Sequence, residues 1–145
     1  MKRHWIGGLA GLILAIGLVG CGAQGATGQV ESLSPEEMKT FIENNDSAYI
    51  LINSTENEEE RKASINLVEK NIKNIKVKEI NAQSPEMLEN NLELKDLGLK
   101  DIQFGTLGVY KNGTLTEYVS LRSVDHSSED EKEKALQEFI EETAS

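Results

Sequence analysis

The chain of 145 residues has room for one domain, and its 25 acidic and 15 basic residues give a formal net charge of −10. This charge argues against a general nucleic-acid binder, because little positive charge is available to neutralise phosphates. A single cysteine and two histidines exclude a disulfide framework, a dithiol redox pair and a zinc site built on cysteines.

The N-terminal segment has the pattern of an export signal. A short basic start precedes an uncharged run at 5–19, which is too short for a membrane-spanning helix of about 20 residues but typical of a signal peptide. The run ends in Leu18, Val19, Gly20 and Cys21. This sequence resembles a bacterial lipobox, in which small residues precede the cleavage point and the cysteine thiol accepts a diacylglyceryl group.

The lipobox resemblance implies three segments. Residues 1–20 would be a lipoprotein signal peptide, 21–33 a lipid-anchored flexible tether rich in glycine, and 34–145 the folded domain. No cofactor is expected other than the covalent acyl lipid on Cys21, and the lipid bilayer becomes a partner. The expected location is the extracytoplasmic face of a bacterial cell membrane. The alternative is an ordinary secretory signal in which Cys21 is incidental.

Hydrophobic spacing and capping residues predict helix, strand, helix, strand, helix, hairpin and helix, in that order. The predicted bounds are 34–43, 49–52, 58–72, 76–82, 84–96, 106–110 with 114–121, and 128–142, and 30–33 can add a short strand in front. Leu115, Val119 and Leu121 are expected on one face of the last strand, and Met87, Leu88 and Leu92 inward. Strands joined through helices pair in parallel, and the hairpin adds an antiparallel edge. We therefore expect an α/β fold with a mixed four- or five-stranded sheet and helices on both faces.

This order of elements resembles thioredoxin over nearly all of residues 30–144. Residues 49–53 resemble the central strand that leads to the active site, and 77–81 resemble the next strand. Residues 106–113, in which Thr, aliphatic residues, an aromatic, Lys, Asn and Gly follow one another, resemble the last hairpin of that family. The resemblance implies a thioredoxin-like sheet, and fold alone does not imply activity.

The departures from thioredoxin decide the expected chemistry. The family places a Cys-x-x-Cys at the start of its second helix, whereas residues 59–62 contain no sulfur. Gly105 stands at the position of the family's cis-proline, and Asn53 at that of its buried acid. We therefore expect no thiol–disulfide exchange by this chain and no enzymatic activity.

Two further patterns have competing interpretations. The acidic run at 56–60 suits solvated acids at a helix N-terminus, an acidic docking face or a weak divalent-cation site. His126 lies between Asp125 and Ser127, and adjacent residues do not form a hydrolase triad, so a solvated loop histidine is expected.

The expected function is that of a non-catalytic binding or accessory module of the cell envelope, with an envelope protein or peptide as partner. The family's peptide groove lies beside the cis-proline position, and Gly105 would leave that backbone open to pairing. The loop near Arg122 is a further candidate part of this surface. The predicted binding edge consists of Thr55, Glu56, Glu59, Phe104, Gly105 and Thr106. The alternatives are a small structural lipoprotein associated with the cell wall, and a non-catalytic partner in a thiol-redox or a secretion and bacteriocin accessory pathway.

Overall fold

A computed structural model describes residues 29–144 of the chain. The strands are β1 (Gln29–Ser32), β2 (Ser47–Asn53), β3 (Lys76–Asn81), β4 (Thr106–Lys111) and β5 (Thr114–Ser120). The helices are α1 (Pro35–Asn44), α2 (Glu58–Asn71), α3 (Pro85–Glu89) and α4 (Glu129–Ala144), with 3₁₀ turns at Leu94–Leu97 and Ser123–Asp125. Within this range, no helix is both long and apolar enough to cross a membrane.

The five strands form one mixed sheet in the order β1-β3-β2-β4-β5. β3 pairs in parallel with both β1 and β2, while β4 pairs antiparallel with β2 and with β5. Strands β4 and β5 form the predicted hairpin, joined through Asn112 and Gly113. The predicted α/β fold with a thioredoxin-like mixed sheet is therefore confirmed, with five strands.

Helices cover both faces of the sheet, and β2 supplies side chains to both cores. Ile50 and Ile52 contribute to the core under α1 and α3, whereas Leu51 contributes to the core under α2 and α4. All three side chains are fully buried, as expected for the short apolar run of a central strand. The helix that precedes β2 begins with the predicted capping box, in which Ser34 Oγ accepts from the backbone N–H of Glu37.

Residues 29–32, which fall inside the range 21–33 predicted as a tether, form a strand of the sheet. This strand is β1, in register from Gln29 beside Lys76 to Ser32 beside Glu79. An extended segment that reaches the free edge of β3 satisfies its backbone hydrogen bonds there, and the alternative of a short first strand is correct. The predicted signal peptide, lipobox and Cys21 lie outside the described residues.

The third helix is shorter than predicted. It ends at Glu89, and the chain turns through Asn91, whose φ is +51°. Leu88 lies within this short helix and is 52 % exposed, so the prediction that it points inward is wrong. Asn side chains compete with helical backbone hydrogen bonds, which explains an early end at the Asn pair.

A β-bulge changes the faces of β5. Tyr110 pairs with Leu115, but the next pair skips Thr116, so the alternation of side chains is offset by one residue. Leu115 packs on the core that contains Tyr110, whereas Val119 packs on the opposite core. The prediction that Leu115 shares a face with Val119 is therefore wrong.

Candidate functional site

A groove of about 940 Å³ lies where β2 ends and β4 begins. One wall is α2 from Glu60 to Lys70 with the loop before it, and the other is segment 121–124 with the first turn of α4. Asn53 lies at the end of β2, between these two walls. We refer to this feature as the groove.

The structure separates the six residues of the predicted binding edge. Thr55, Phe104 and Gly105 line the groove. Glu56 lines a neighbouring cavity of about 680 Å³ beside the start of α3, and Glu59 lines neither of these two cavities. The predicted edge is thus divided by the loop around Thr55, which lines both.

Thr106 does not belong to an exposed edge. Thr106 is only 2 % exposed, and its hydroxyl donates to the carbonyl oxygen of Gln103 at 2.7 Å. As the first residue of β4 it is covered by neighbouring strands. Its assignment to the binding surface is corrected accordingly.

The backbone of Gly105 is not open to pairing, contrary to prediction. Its N–H donates to the carbonyl oxygen of Ile52 at 2.8 Å, and its own carbonyl accepts from the N–H of Leu121 at 2.7 Å. Glycine is required here for two reasons. Its φ is +69°, and a Cβ would lie 2.6 Å from Cγ of Arg122. Gly105 therefore lets Arg122 lie close against the backbone.

Asn53 forms part of the floor of the groove. It is 5 % exposed and follows Leu51 by two residues, so it faces the same side of the sheet, toward α2 and α4. Its Nδ2 has no hydrogen-bond partner among residues 29–144. The sequence marked Asn53 only as the replacement of an acid, and nothing in the pattern indicated an unpaired donor.

A side-chain amide on the neighbouring strand holds the loop beside the groove. Asn81 Oδ1 accepts from the N–H of Thr55 at 3.1 Å, and Asn81 Nδ2 donates to the carbonyl of Thr55 at 2.8 Å. The hydroxyl of Thr55 donates to Glu60 at 3.1 Å and accepts from the N–H of Asn57 at 3.0 Å. Asn81 was not among the predicted site residues, although an Asn at the end of a buried strand is a signal for such a loop contact.

The acidic run at 56–60 is arranged as the first turn of a helix. Asn57 Oδ1 caps α2 by accepting from the N–H groups of Glu59 at 2.9 Å and Glu60 at 3.3 Å. Glu58 bonds to Arg61 at 2.7 Å. These contacts favour the interpretation as helix-terminal acids. In the described part of the chain, no group of three or more His, Cys, Asp or Glu residues is placed to hold a metal ion.

A buried ion pair that the sequence did not indicate lies between α2 and β3. The Glu79 side chain is fully buried and accepts from Arg61 Nη2 at 2.7 Å and Nε at 2.9 Å. Arg61 Nη2 also donates to Ser32 Oγ at 3.0 Å. The hydrogen bond to Glu79 raises the pKa of Arg61 above its ordinary value. Arg61 thus joins α2 to both β3 and β1.

His126 differs from the expected solvated loop histidine. It is half-buried, and its Nε2 lies 2.8 Å from the carbonyl oxygen of Ser120, to which it can donate. The Asp125 carboxylate accepts from Ser120 Oγ, and Ser127 donates to Glu131. The imidazole therefore fixes the end of β5, and its sequence neighbours have other partners.

The groove combines exposed apolar groups with charged side chains of both signs. Phe104 is 48 % exposed and Val124 78 % exposed. The charged residues that line the groove are two carboxylates and three cations: Glu60, Glu129, Lys70, Arg122 and Lys132. Lys132 is 9 % exposed and its Nζ bonds to Glu129 at 2.6 Å, and this hydrogen bond lowers the pKa of Glu129.

Comparisons with known proteins add little to this geometry. No protein-family model matches the chain, and no curated protein matches it significantly. Among solved structures, the zinc-bound form of human ERp44 matches with a TM-score of 0.43 and 12% identity. The match covers 81% of this chain and 32% of that one, so the chain spans about a third of its length. The fold assignment here rests on strand order and direction.

Proposed function

We propose that the chain is a membrane-anchored extracytoplasmic lipoprotein whose redox-inactive thioredoxin-like domain holds a protein or peptide partner in the groove. The observation that carries the proposal is the groove itself, which brings Thr55, Phe104 and Gly105 together at the end of the central strand. The attachment through an acylated Cys21 follows from the lipobox-like sequence.

The residues at the groove support binding rather than thiol chemistry. Disulfide exchange requires a thiolate, and the one cysteine of the chain is Cys21. Asn53 offers an amide where thioredoxin has its acid, and Glu60 of α2 offers a carboxylate. The groove therefore has hydrogen-bonding and apolar groups to hold a ligand, and no nucleophilic sulfur to react with it.

The position of the first strand supports a groove that is accessible to partners in the envelope. The register of the parallel ladders places Gln29 beside Lys76 at one end of β3, and Asn53 beside Asn81 at the other end. β3 has six residues and spans about 20 Å. A chain that reaches the membrane through Gln29 would present the groove on the side away from the bilayer. Residues 22–28 would span at most about 25 Å when extended.

The test is photo-crosslinking in cells, from the groove and from a matched control position. A photoreactive residue replaces Phe104 or Val124 in the groove, or Tyr118 on β5, whose 50 % exposure matches that of Phe104. We expect one dominant partner from both groove positions and not from position 118. The full chain with Cys21→Ser is expected to leave the membrane fraction.

Two results would contradict the proposal. Equal labelling of many neighbours from all three positions would favour a structural lipoprotein of the cell wall. Unchanged membrane retention of the Cys21→Ser chain would remove the lipid-anchor part, since another segment would then hold the protein at the membrane.

A further inference from the structure

The groove contains a polar side chain that the folded chain leaves without a partner. Asn53 lines the groove and is 5 % exposed, and its Nδ2 makes no hydrogen bond among residues 29–144. Buried polar groups are nearly always hydrogen-bonded, so an exception needs an explanation. A side-chain amide has donor hydrogens and an acceptor oxygen. The matching group on a ligand is therefore one that both accepts and donates, as a hydroxyl does.

The charged side chains of the groove nearly balance. Three cations and two carboxylates line it, and each of these cations also lies near a carboxylate. The pairs are Lys132 with Glu129 at 2.6 Å, Lys70 with Glu133 at 2.9 Å and Arg122 with Asp125 at 3.7 Å. A site without a strong field of either sign does not select for a charged ligand. The groove therefore suits an uncharged ligand that forms hydrogen bonds.

Neutral hydrogen-bonding side chains are numerous in the lining of the groove. Six of the lining residues have an amide or a hydroxyl: Asn53, Ser54, Thr55, Ser64, Asn66 and Ser123. The backbone N–H and carbonyl of Gly105 are both bonded within the fold, so the groove holds a ligand through side chains and not by strand pairing. A ligand rich in hydroxyl groups matches this lining.

Phe104 adds a flat apolar surface to this polar lining. Its side chain lines the groove and the residue is 48 % exposed. The negative face of an aromatic ring attracts C–H groups, and a pyranose ring has C–H groups on its faces and hydroxyls around its edge. An aromatic side chain beside several polar groups is typical of small-molecule sites, whose volumes are about 300–1,000 Å³. The groove, at about 940 Å³, has the composition and the size for a saccharide.

We propose that the groove binds an uncharged saccharide, with one sugar ring packed on Phe104 and its hydroxyls hydrogen-bonded to the amide of Asn53. This inference rests on the proposed function and deepens it, because it assigns a chemical class to the part of the partner that enters the groove. That part is a sugar carried by a glycan-bearing protein or peptide of the envelope.

The proposal is tested by NMR titration of the ¹⁵N-labelled full chain, held in a detergent without a sugar headgroup. The probes are three neutral disaccharides, namely cellobiose, maltose and N,N′-diacetylchitobiose, and the control is sorbitol, which has hydroxyls but no ring. We expect at least one disaccharide to shift the Asn53 side-chain amide signal and to bind at least about tenfold more tightly than sorbitol. Its Kd should change less than about twofold between low salt and about 1 M salt, because salt screens only interactions between charges.

Two variants test the contacts separately. Phe104→Ala should bind the disaccharide about two- to tenfold more weakly, whereas Tyr118→Ala is the matched control, because Tyr118 is 50 % exposed and does not line the groove. Asn53→Ala should weaken binding about three- to tenfold. If Asn53→Ala does not fold, the Asn53 amide signal of the natural chain and the exposed Phe104 position still test the proposal.

Several outcomes would overturn the inference. These are no binding of any disaccharide, sorbitol that binds as tightly, a Phe104→Ala chain with unchanged affinity, a folded Asn53→Ala chain with unchanged affinity, or an Asn53 amide signal that does not move. The last two would indicate that only water meets the amide. A dominant crosslinked partner from positions 104 and 124 would leave the proposed function standing in each case, so the two failures are distinguishable.

Discussion

Removal of Arg61 is expected to destabilise the domain far more than removal of any exposed cation. Arg61 makes the close charge contact to Glu79, with N–O distances of 2.7 and 2.9 Å, and the Glu79 side chain is fully buried. In Arg61→Met the Glu79 carboxylate keeps, among residues 29–144, only the hydroxyl of Ser32 at 3.3 Å. An uncompensated buried charge costs about 3–5 kcal/mol, a large share of a typical stability of about 5–15 kcal/mol.

Urea denaturation followed by circular dichroism measures this loss. With a dependence on urea of about 2 kcal/mol/M, the midpoint should fall by roughly 2 M. The control is Lys134→Met, because Lys134 and Glu138 are exposed and 3.7 Å apart. Its cost should stay below about 1 kcal/mol.

The double variant Arg61→Met with Glu79→Met separates the cost of an unpaired charge from the net value of the pair. Replacement of a buried ion pair by apolar side chains of similar volume is often neutral, so most of the lost stability should return. Two results would refute the reasoning: a single variant that loses less than about 1 kcal/mol, or a double variant no more stable than the single one.

Three further changes have expected outcomes. Gly105→Val should cost about 1–3 kcal/mol in urea denaturation, because φ is +69° at this position. Tyr110→Phe should be neutral or stabilising by up to about 1 kcal/mol, because the buried hydroxyl has no partner in residues 29–144. Burial raises the pKa of the Tyr110 hydroxyl above 10.0. The folded state therefore loses stability as the pH rises above 10, because the hydroxyl ionises more readily in the unfolded chain. In thermal melts above pH 10, the Phe variant should lose less stability than the natural chain. Hydrogen bonds lower the pKa of three α4 carboxylates below 4.5: Glu129, Glu131 and Glu133. The stability that these carboxylates contribute is present above pH 4.5 and is lost as the pH falls. Replacement of all three by Gln should therefore flatten the acid side of the curve of stability against pH.

The elements with strong local signals could be predicted from the sequence. The apolar run of β2 has one arrangement compatible with burial on both faces, and Ser34 with Glu37 satisfies the helix start within a few residues. Asn112 and Gly113 both have positive φ, as their turn requires. These features depend on neighbours in sequence, so pattern and capping rules suffice for them.

The predictions that were wrong concern features that depend on contacts between distant segments. The bulge at Thr116 changes the face of Leu115 without a glycine or proline to mark it. Gly105 was expected to have a free backbone because its partners, Ile52 and Leu121, are 53 and 16 residues away in sequence. Partner and face at such positions are set by the assembled sheet.

The floor of the groove illustrates the same limit for function. The sequence showed that Asn53 cannot act as the thioredoxin acid, but whether its amide is satisfied depends on which groups from α2 and α4 surround it. In the sequence, Glu79 is likewise one polar residue of a strand in which polar and apolar residues alternate. Its burial follows from the position of β3 between β1 and β2, with Arg61 reaching across from α2.

Arg61 also connects the strand nearest the proposed anchor with a wall of the groove. Ser32 at the end of β1 accepts from Arg61, whose helix begins with the carboxylates beside Thr55. A pull on the chain before Gln29 would act along the β1–β3 ladder, which holds β1 through Leu33, whose N–H donates to the Glu79 carbonyl at 2.9 Å. Since Gln29 and Asn53 lie beside opposite ends of β3, the ladder and the buried pair lie between Gln29 and the groove. Loss of Arg61 should therefore loosen β1 and the groove wall together, and hydrogen exchange in Arg61→Met should rise in both 29–33 and 54–62.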